Sequence, residues 1–168
     1  MLTSILFAMN DAPTDRLVLD SQLCFALYRA NRAVVRSYRP LLAELGLTYP
    51  QYLVMLVLWE ADEPVPLKFI DSRLGLDSGT LTPLLKRLEK QGYVQRWRDP
   101  DDERRTLAAL TADGASLRTR AECIPEAMAE AYKEVGLDLA EFKESLDILA
   151  GVPVDVELPW PSGDDFVG

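Results

Sequence analysis

The chain reads as a mainly α-helical protein carrying one small β-hairpin. Three observations predict this. Apolar residues recur at spacings of three and four in successive segments. One pair of short strand-like runs, YVQRWR and RTLAAL, flanks the polar loop DPDDER. Capping residues, glycines and prolines stand where the segments meet.

The first helix runs from about Leu17 to Leu42. Leu23, Leu27, Val34, Tyr38 and Leu41 form its stripe, with Cys24, Tyr28, Val35 and Leu42 beside them. Pro40 is expected to bend or end it. TYPQ then reads as a capping box: Thr48 caps, Pro50 sits in the first turn, and Gln51 reaches back. The helix that follows, YLVMLVLWE, is apolar nearly all round and should be central, and EPVP closes it. A helix with Leu67, Ile70 and Leu74 ends at Gly75, and Asp77 or Ser78 caps the next. That next helix carries Leu81, Leu84, Leu85 and Leu88 on one face and Thr80, Thr82, Lys86, Arg87 and Lys90 on the other. Pro83 is awkward there unless the helix begins near Thr80. After the hairpin, Thr111 caps a long helix with Leu117, Ala121, Ile124 and Met128, kinked near Pro125. DLAEFKESLDILA makes the last helix. Residues 1–16 are expected to be an arm, and 151–168 an irregular tail with Val154, Val156, Trp160 and Phe166 as anchors.

Composition narrows the chemistry. The 168 residues suit one domain, or a subunit that completes its core with a partner. There is no histidine, so Ser-His and Cys-His nucleophilic pairs cannot come from this chain alone. Cys24 and Cys123 lie 99 positions apart, which is neither a disulfide scaffold nor a zinc pattern, and neither metal nor cofactor is expected. The start lacks the basic lead of a signal peptide and is too short to span a bilayer, so the cytoplasm is the expected location.

Net charge is −9, which by itself argues against a nucleic-acid ligand. Its distribution argues the other way. Residues 67–111 hold nine Lys/Arg against seven acids, a charge of +2, and leave −11 for the rest. Helix, helix, tight turn, helix and hairpin, in that order, make a winged helix-turn-helix over about 52–111. Helices at about 17–45 and 112–150 flank it, giving one domain over 17–150. The expected ligand is double-stranded DNA. Asp77, Ser78, Thr80 and Thr82 stand where a reading helix meets base edges. Lys86, Arg87, Lys90, Arg96 and Arg98 supply cations, and Arg104 or Arg105 can enter the minor groove from the wing. Asp102 and Glu103 are expected to orient those arginines.

The block LDSGTLTPLLKRLEKQGYVQRWRDPDDERR…ALTADG resembles the MarR group of dimeric winged-helix repressors. LCFALY, YRPLLAELGLTYPQYLVMLVLWE and DSGTLTPLLKR together are similar to its organic hydroperoxide resistance regulators, OhrR. The match runs from about Leu19 to Pro125, and it implies a homodimer, with helices at about 17–45 and 112–150 forming the interface, on a pseudo-palindromic operator. It implies that Cys24 is a reactive cysteine, that Tyr38 and Tyr49 donate hydrogen bonds to its sulfur, and that Tyr28 lines the same pocket. An apolar site alone keeps a thiol inert, whereas phenol donors favour the thiolate that attacks an organic hydroperoxide. The sulfenic acid formed would break the tyrosine bonds, shift the reading helices and release the operator. Cys123 leaves two readings open. It is a buried structural cysteine, in which case a low-molecular-weight thiol caps oxidised Cys24, or it is a resolving cysteine. Two other readings stand beside the sensor. One is a MarR-type repressor for a phenolic or other apolar ligand, with Cys24 as packing. The other is a thiol peroxidase.

Overall fold

The computed structural model describes residues 17–61, 63–136 and 138–151, so the 1–16 arm and all but the first residue of the tail lie outside it. The described residues fall into two compact units that divide between Met128 and Ala129.

The first unit is built on α2 (Tyr49–Glu60), which touches α1 (Leu23–Ala43), α3 (Leu67–Leu74), α4 (Ser78–Lys90) and α5 (Ala112–Ala121). Its all-round apolar sequence explains this central position. Gln51, Tyr52, Val54, Met55, Val57, Leu58 and Trp59 are buried on it. Around them close Ile70 from α3 and Leu81, Leu84, Leu85 and Leu88 from α4. Each such aliphatic side chain contributes about 1.5–3 kcal/mol when fully removed from water. Gly75 ends α3 at φ 62°, a left-handed conformation in which a Cβ is strained, and turns the chain sharply into α4.

A three-stranded antiparallel sheet has the order β1-β3-β2, with β1 at Val65–Pro66, β2 at Val94–Arg98 and β3 at Thr106–Leu110. Val94 pairs with Leu110, Arg98 with Thr106, and Val65 with Ala108. The two-residue β1 is absent from the sequence reading, which sees only a hairpin. Two residues are too few for a period to register, and Pro66 masks the strand by sitting on the sheet's edge.

Pro40 and Pro83 both lie inside helices. Pro40 does not end α1, which continues to Ala43. The carbonyl it leaves unpaired belongs to exposed Arg36, and Leu42, 1 % exposed, anchors the last turn. Pro83 lies inside an α4 that starts at Ser78, and the freed carbonyl is that of exposed Gly79. The long helix after the wing is two helices, α5 and α6 (Cys123–Tyr132), separated at Glu122 rather than at Pro125, which occupies the first turn of α6.

In the second unit α6 ends in a 3-10 turn at Lys133–Val135, and Asp138 caps α7 (Leu139–Ala150) by accepting from the N–H groups of Ala140 and Glu141. Leu139, Phe142, Leu146, Ile148 and Leu149 are exposed on α7. On α1 of the first unit, Leu23 and Tyr28 are exposed as well. Among the described residues no helix is long and apolar enough to cross a membrane.

Candidate DNA interface and thiol site

The face of α4 turned away from the core is a polar comb. Asp77 caps it: Oδ1 accepts from the Thr80 N–H at 2.8 Å, and Oδ2 from the Thr80 hydroxyl at 3.0 Å. The Thr80 backbone and then its hydroxyl hold the Asp77 carboxyl below the usual carboxylate range. The cap is therefore intact above that lowered value and lost as pH falls through it. Ser78, Thr80, Lys86, Arg87 and Lys90 are exposed and Thr82 half-buried, while Leu81, Leu84, Leu85 and Leu88 are buried. Lys86, Arg87 and Lys90 have no ion pair among the described residues. Cations on the outer face of a reading helix are of the kind that meets phosphate. Lys86→Ala or Arg87→Ala is expected to flatten the slope of log affinity against log salt by about 0.9 each. Fluorescence anisotropy on a labelled duplex over a salt series checks this, and an unchanged slope would remove that cation from the interface.

Other basic residues are engaged elsewhere. Arg96 is paired with Glu89 at 2.6 Å, with only 17 % of its side chain exposed, so its charge is committed to α4. Arg73 binds Glu60 at 2.7 Å and lies over the Phe69 ring. Arg98 donates to the Glu103 carbonyl and the Thr106 hydroxyl, both at 3.3 Å.

The wing is held differently from the sequence reading. Asp99 carries the loop. It is 7 % exposed, its Oδ1 accepts from the Asp101 N–H at 3.0 Å, and Oδ2 lies 3.6 Å from Arg105 Nε. The Arg105 carbonyl accepts from the Asp99 N–H at 3.1 Å. Asp102 accepts from the Arg104 N–H at 3.1 Å and sits 3.9 Å from its guanidinium, which is almost wholly exposed at the tip. Glu103 acts through its carbonyl on Arg98. Of the two acids expected to orient the arginines, Asp102 touches Arg104 and Glu103 orients neither. Asp99 is the residue the sequence reading missed. Its signal was the Asp-Pro dipeptide that opens the loop.

The tyrosines gather at the junction of α1 and α2. The rings of Tyr38 and Tyr49 are 4.8 Å apart, Tyr52 is 6.0 Å from Tyr38, and Trp59 meets Tyr52 edge-on at 6.2 Å. Burial, followed by the nearby Tyr38, Tyr49 and Cys123 groups, pushes the Tyr52 hydroxyl above its ordinary value. Cys123 is thus close to this cluster. It is exposed rather than buried, with its thiol 3.5 Å from the Arg120 carbonyl. Beside the cluster a cleft of about 370 Å³ is lined by Tyr52, Leu56, Trp59, Arg118, Ala121 and Pro125.

Cys24 is not in the cluster. It is the second residue of α1 and is exposed in the single chain. Tyr38 lies 14 residues further along the same unbroken helix, about 21 Å away at 1.5 Å per residue. Tyr28, one turn after Cys24, is exposed, and its hydroxyl accepts from Arg32 at 3.1 Å. One chain therefore holds the tyrosine pair and the cysteine at opposite ends of α1. No group of residues that could hold a metal is found among the described residues.

A reading helix with an outward comb of hydroxyls and cations, followed by a wing with arginines at its tip, defines a DNA-binding winged-helix module. A family model described as transcriptional regulator SarA/Rot matches residues 36–120. The organic hydroperoxide resistance transcriptional regulator of Bacillus subtilis strain 168 is 47 % identical over 132 residues, covering 79 % of this chain and 89 % of the relative. Reduced AbfR bound to DNA superimposes with a TM-score of 0.68 at 36 % identity, covering 83 % of this chain and 97 % of that one. AbfR, from Staphylococcus epidermidis, has also been solved overoxidised on DNA and in a disulfide form. A MarR-family regulator from Rhodococcus sp. RHA1 gives 0.70 at 28 % identity, covering 80 % and 96 %. The chain belongs to the winged-helix MarR/SarA-type transcriptional regulators. Within them it is a transcriptional regulator of the OhrR type, and its relatives are regulators, not enzymes.

Proposed function

We propose that the protein is a cytoplasmic homodimeric repressor that senses organic hydroperoxides through Cys24 and then releases its operator. The reading is carried by one observation: the Tyr38–Tyr49 pair is assembled in each chain about 21 Å from that chain's own Cys24. A tyrosine pair at one end of α1 and a cysteine at the other can complete each other across a two-fold axis. The exposed apolar residues of α1 and of α7 supply surface for such a dimer. Helices at about 17–45 and 112–150 form its interface, and 52–111 reads DNA.

The chemistry balances with the oxidant named. The Cys24 thiolate attacks one peroxide oxygen and the O–O bond breaks. The alkoxide takes a proton and leaves as alcohol, and Cys24 becomes a sulfenic acid. A thiol then condenses with it, losing water and forming a disulfide. The nearness of Cys123 to Tyr52, and its exposure, favour Cys123 of the second subunit for this step over a low-molecular-weight thiol. Either disulfide is larger than a thiol and no longer accepts two phenol hydrogen bonds, so the tyrosine junction must rearrange.

The test is operator binding, followed by anisotropy, before and after one equivalent of cumene hydroperoxide per subunit. Release by cumene hydroperoxide, at concentrations where hydrogen peroxide is inert, is expected. Undiminished binding by protein whose Cys24 is verified as oxidised would sink the reading. The cleft beside Tyr52 favours a second reading, in which an apolar or phenolic ligand releases the operator and Cys24 is packing. Cys24 then reacts with an alkylating probe no faster than free cysteine, and the Cys24→Ser protein responds like its parent.

A further inference from the structure

The turn between α1 and α2 is gripped from three sides. A helix C-terminus normally leaves its last carbonyls to water or to a glycine turn. Here three consecutive carbonyls of the turn each receive a side-chain donor, two of them from the DNA-reading region. Arg120 of α5 donates to the Glu44 carbonyl. The Tyr93 hydroxyl donates to that of Leu45 at 3.4 Å. Gln91 Nε2 donates to that of Gly46 at 2.7 Å.

Gln91 does more than grip one carbonyl. It is the C-terminal cap residue of α4, so its backbone belongs to the end of the reading helix. Its Oε1 accepts from Gln51 Nε2 at 3.1 Å. Gln51 is 3 % exposed, and its Oε1 in turn accepts from the Thr48 N–H at 2.9 Å and the Thr48 hydroxyl at 3.0 Å. One amide thus spans the turn, holding its α1 side at Gly46 and its α2 side through Gln51. Tyr38 stands just before this turn and Tyr49 just after it, next to Thr48. A rotation of the first turn of α2 against α1 changes the distance that Gln91 must bridge. Hydrogen bonds weaken steeply with lost alignment, so the end of α4 must follow or let go.

We propose that Gln91 is a positioning residue that couples the tyrosine junction to the DNA-reading helix, transmitting a change at Tyr38 and Tyr49 to the C-terminal end of α4. This rests on the reading of Tyr38 and Tyr49 as the place where oxidation acts. Gln91 is exposed, so its replacement does not open the core. Gln91→Glu keeps the acceptor for Gln51 and loses the donor to Gly46, whereas Gln91→Ala loses both.

The experiment compares parent, Gln91→Glu, Gln91→Ala, Tyr93→Phe and the strand-surface control Gln95→Ala. The duplex is recovered from a random-sequence pool by the reduced parent. The first readout is the ratio of operator affinities before and after oxidation with cumene hydroperoxide, with the rate of Cys24 oxidation measured alongside. Gln91→Ala is expected to shrink that ratio about tenfold while Cys24 is oxidised at the parent rate and Gln95→Ala is unchanged. Gln91→Glu falls between, and Tyr93→Phe changes least. A merely structural role lowers stability and both affinities together and leaves the ratio alone, which would overturn the proposal. The second readout needs no oxidant: amide hydrogen exchange at residues 47–51 with and without the duplex. By linkage, DNA on α4 must slow exchange there in the parent and not in Gln91→Ala. If oxidation leaves the parent bound to DNA, the sensing reading fails and exchange alone decides. DNA-dependent protection lost in Gln91→Ala supports the coupling, while equal protection, or none in the parent, overturns it.

Discussion

Gly114→Ala is expected to lower the melting temperature by about 4–12 °C, taking 2–4 °C per kcal/mol for a chain of this size. The sign is a contest between two terms. Alanine is a better helix former than glycine by about 0.8–1.0 kcal/mol, and Gly114 is in the first turn of α5. Against that, a Cβ here would lie 1.9 Å from the Tyr93 carbonyl oxygen and 2.8 Å from its carbon. Those atoms are backbone, held in place because the same carbonyl accepts from the Thr111 N–H at 3.0 Å. Overpacking a rigid site costs about 1–3 kcal/mol and sometimes more, and a backbone clash falls at the top of that range or beyond it. The clash wins by about 2–3 kcal/mol. The damage also spreads. The Gly114 carbonyl accepts from Trp59 Nε1 at 2.8 Å, and the Thr111 hydroxyl donates to the Gly92 carbonyl, so α5, α2 and the base of the wing meet at this residue. Thermal denaturation followed by circular dichroism checks the size of the effect. Gly79→Ala is the control: its Cβ would meet only the end of the Asp77 side chain, at 2.9 Å, which can swing aside. A Gly114→Ala protein that melts within a degree of its parent would show that α5 can slide away from Tyr93, and that this joint is not fixed.

That joint also marks where sequence reading stops. The stripe of Leu81, Leu84, Leu85 and Leu88 is legible because burial of one helical face writes itself as a period along the chain. The caps at Asp77 and Thr111 are legible because they act over two or three residues. The reading comb on α4 follows from those two facts. What is not legible comes from pairs distant in the chain. Nothing in TADG says that the carbonyl of Tyr93 lies against Gly114. Nothing in QGYV says that Gln91 reaches Gly46 and Gln51. Arg96 looks like one more cation for DNA until Glu89 is found beside it. Asp99 and Arg105 are separated by a loop whose path decides which of four acids lies within reach of the guanidinium. Cys24 is the extreme case. Its chemistry is suggested by motif, but α1 is one uninterrupted helix, and the tyrosines meant to act on the sulfur gather at its far end.

The same geometry dictates how Cys24→Ser should behave. The serine protein is expected to bind the reduced-state operator within about threefold of the parent, since residue 24 is outside the reading face, and to ignore cumene hydroperoxide. The parent should lose about 100-fold in affinity, within the range of known allosteric couplings. On the proposed reading Tyr49→Phe removes one hydrogen bond to the Cys24 thiolate, worth about 1.5–3 kcal/mol, so Cys24 should be oxidised about 10- to 100-fold more slowly. Combining the two variants tests the crossing of the site. In a mixed dimer with Cys24→Ser in one subunit and Tyr49→Phe in the other, the remaining cysteine belongs to the phenylalanine chain. If its phenol donors come from the partner, that cysteine faces an intact Tyr49 and is oxidised at the parent rate. If they come from its own chain, it faces phenylalanine and is slow. The unbroken α1 excludes the second arrangement within one subunit, so parent-rate oxidation of half the subunits is expected. Two affinity tags isolate the mixed dimer, and mass spectrometry of the sulfenic acid, trapped with dimedone, reads the rate. Slow oxidation in the mixed dimer would mean that α1 bends or breaks in solution and brings Cys24 to its own tyrosines.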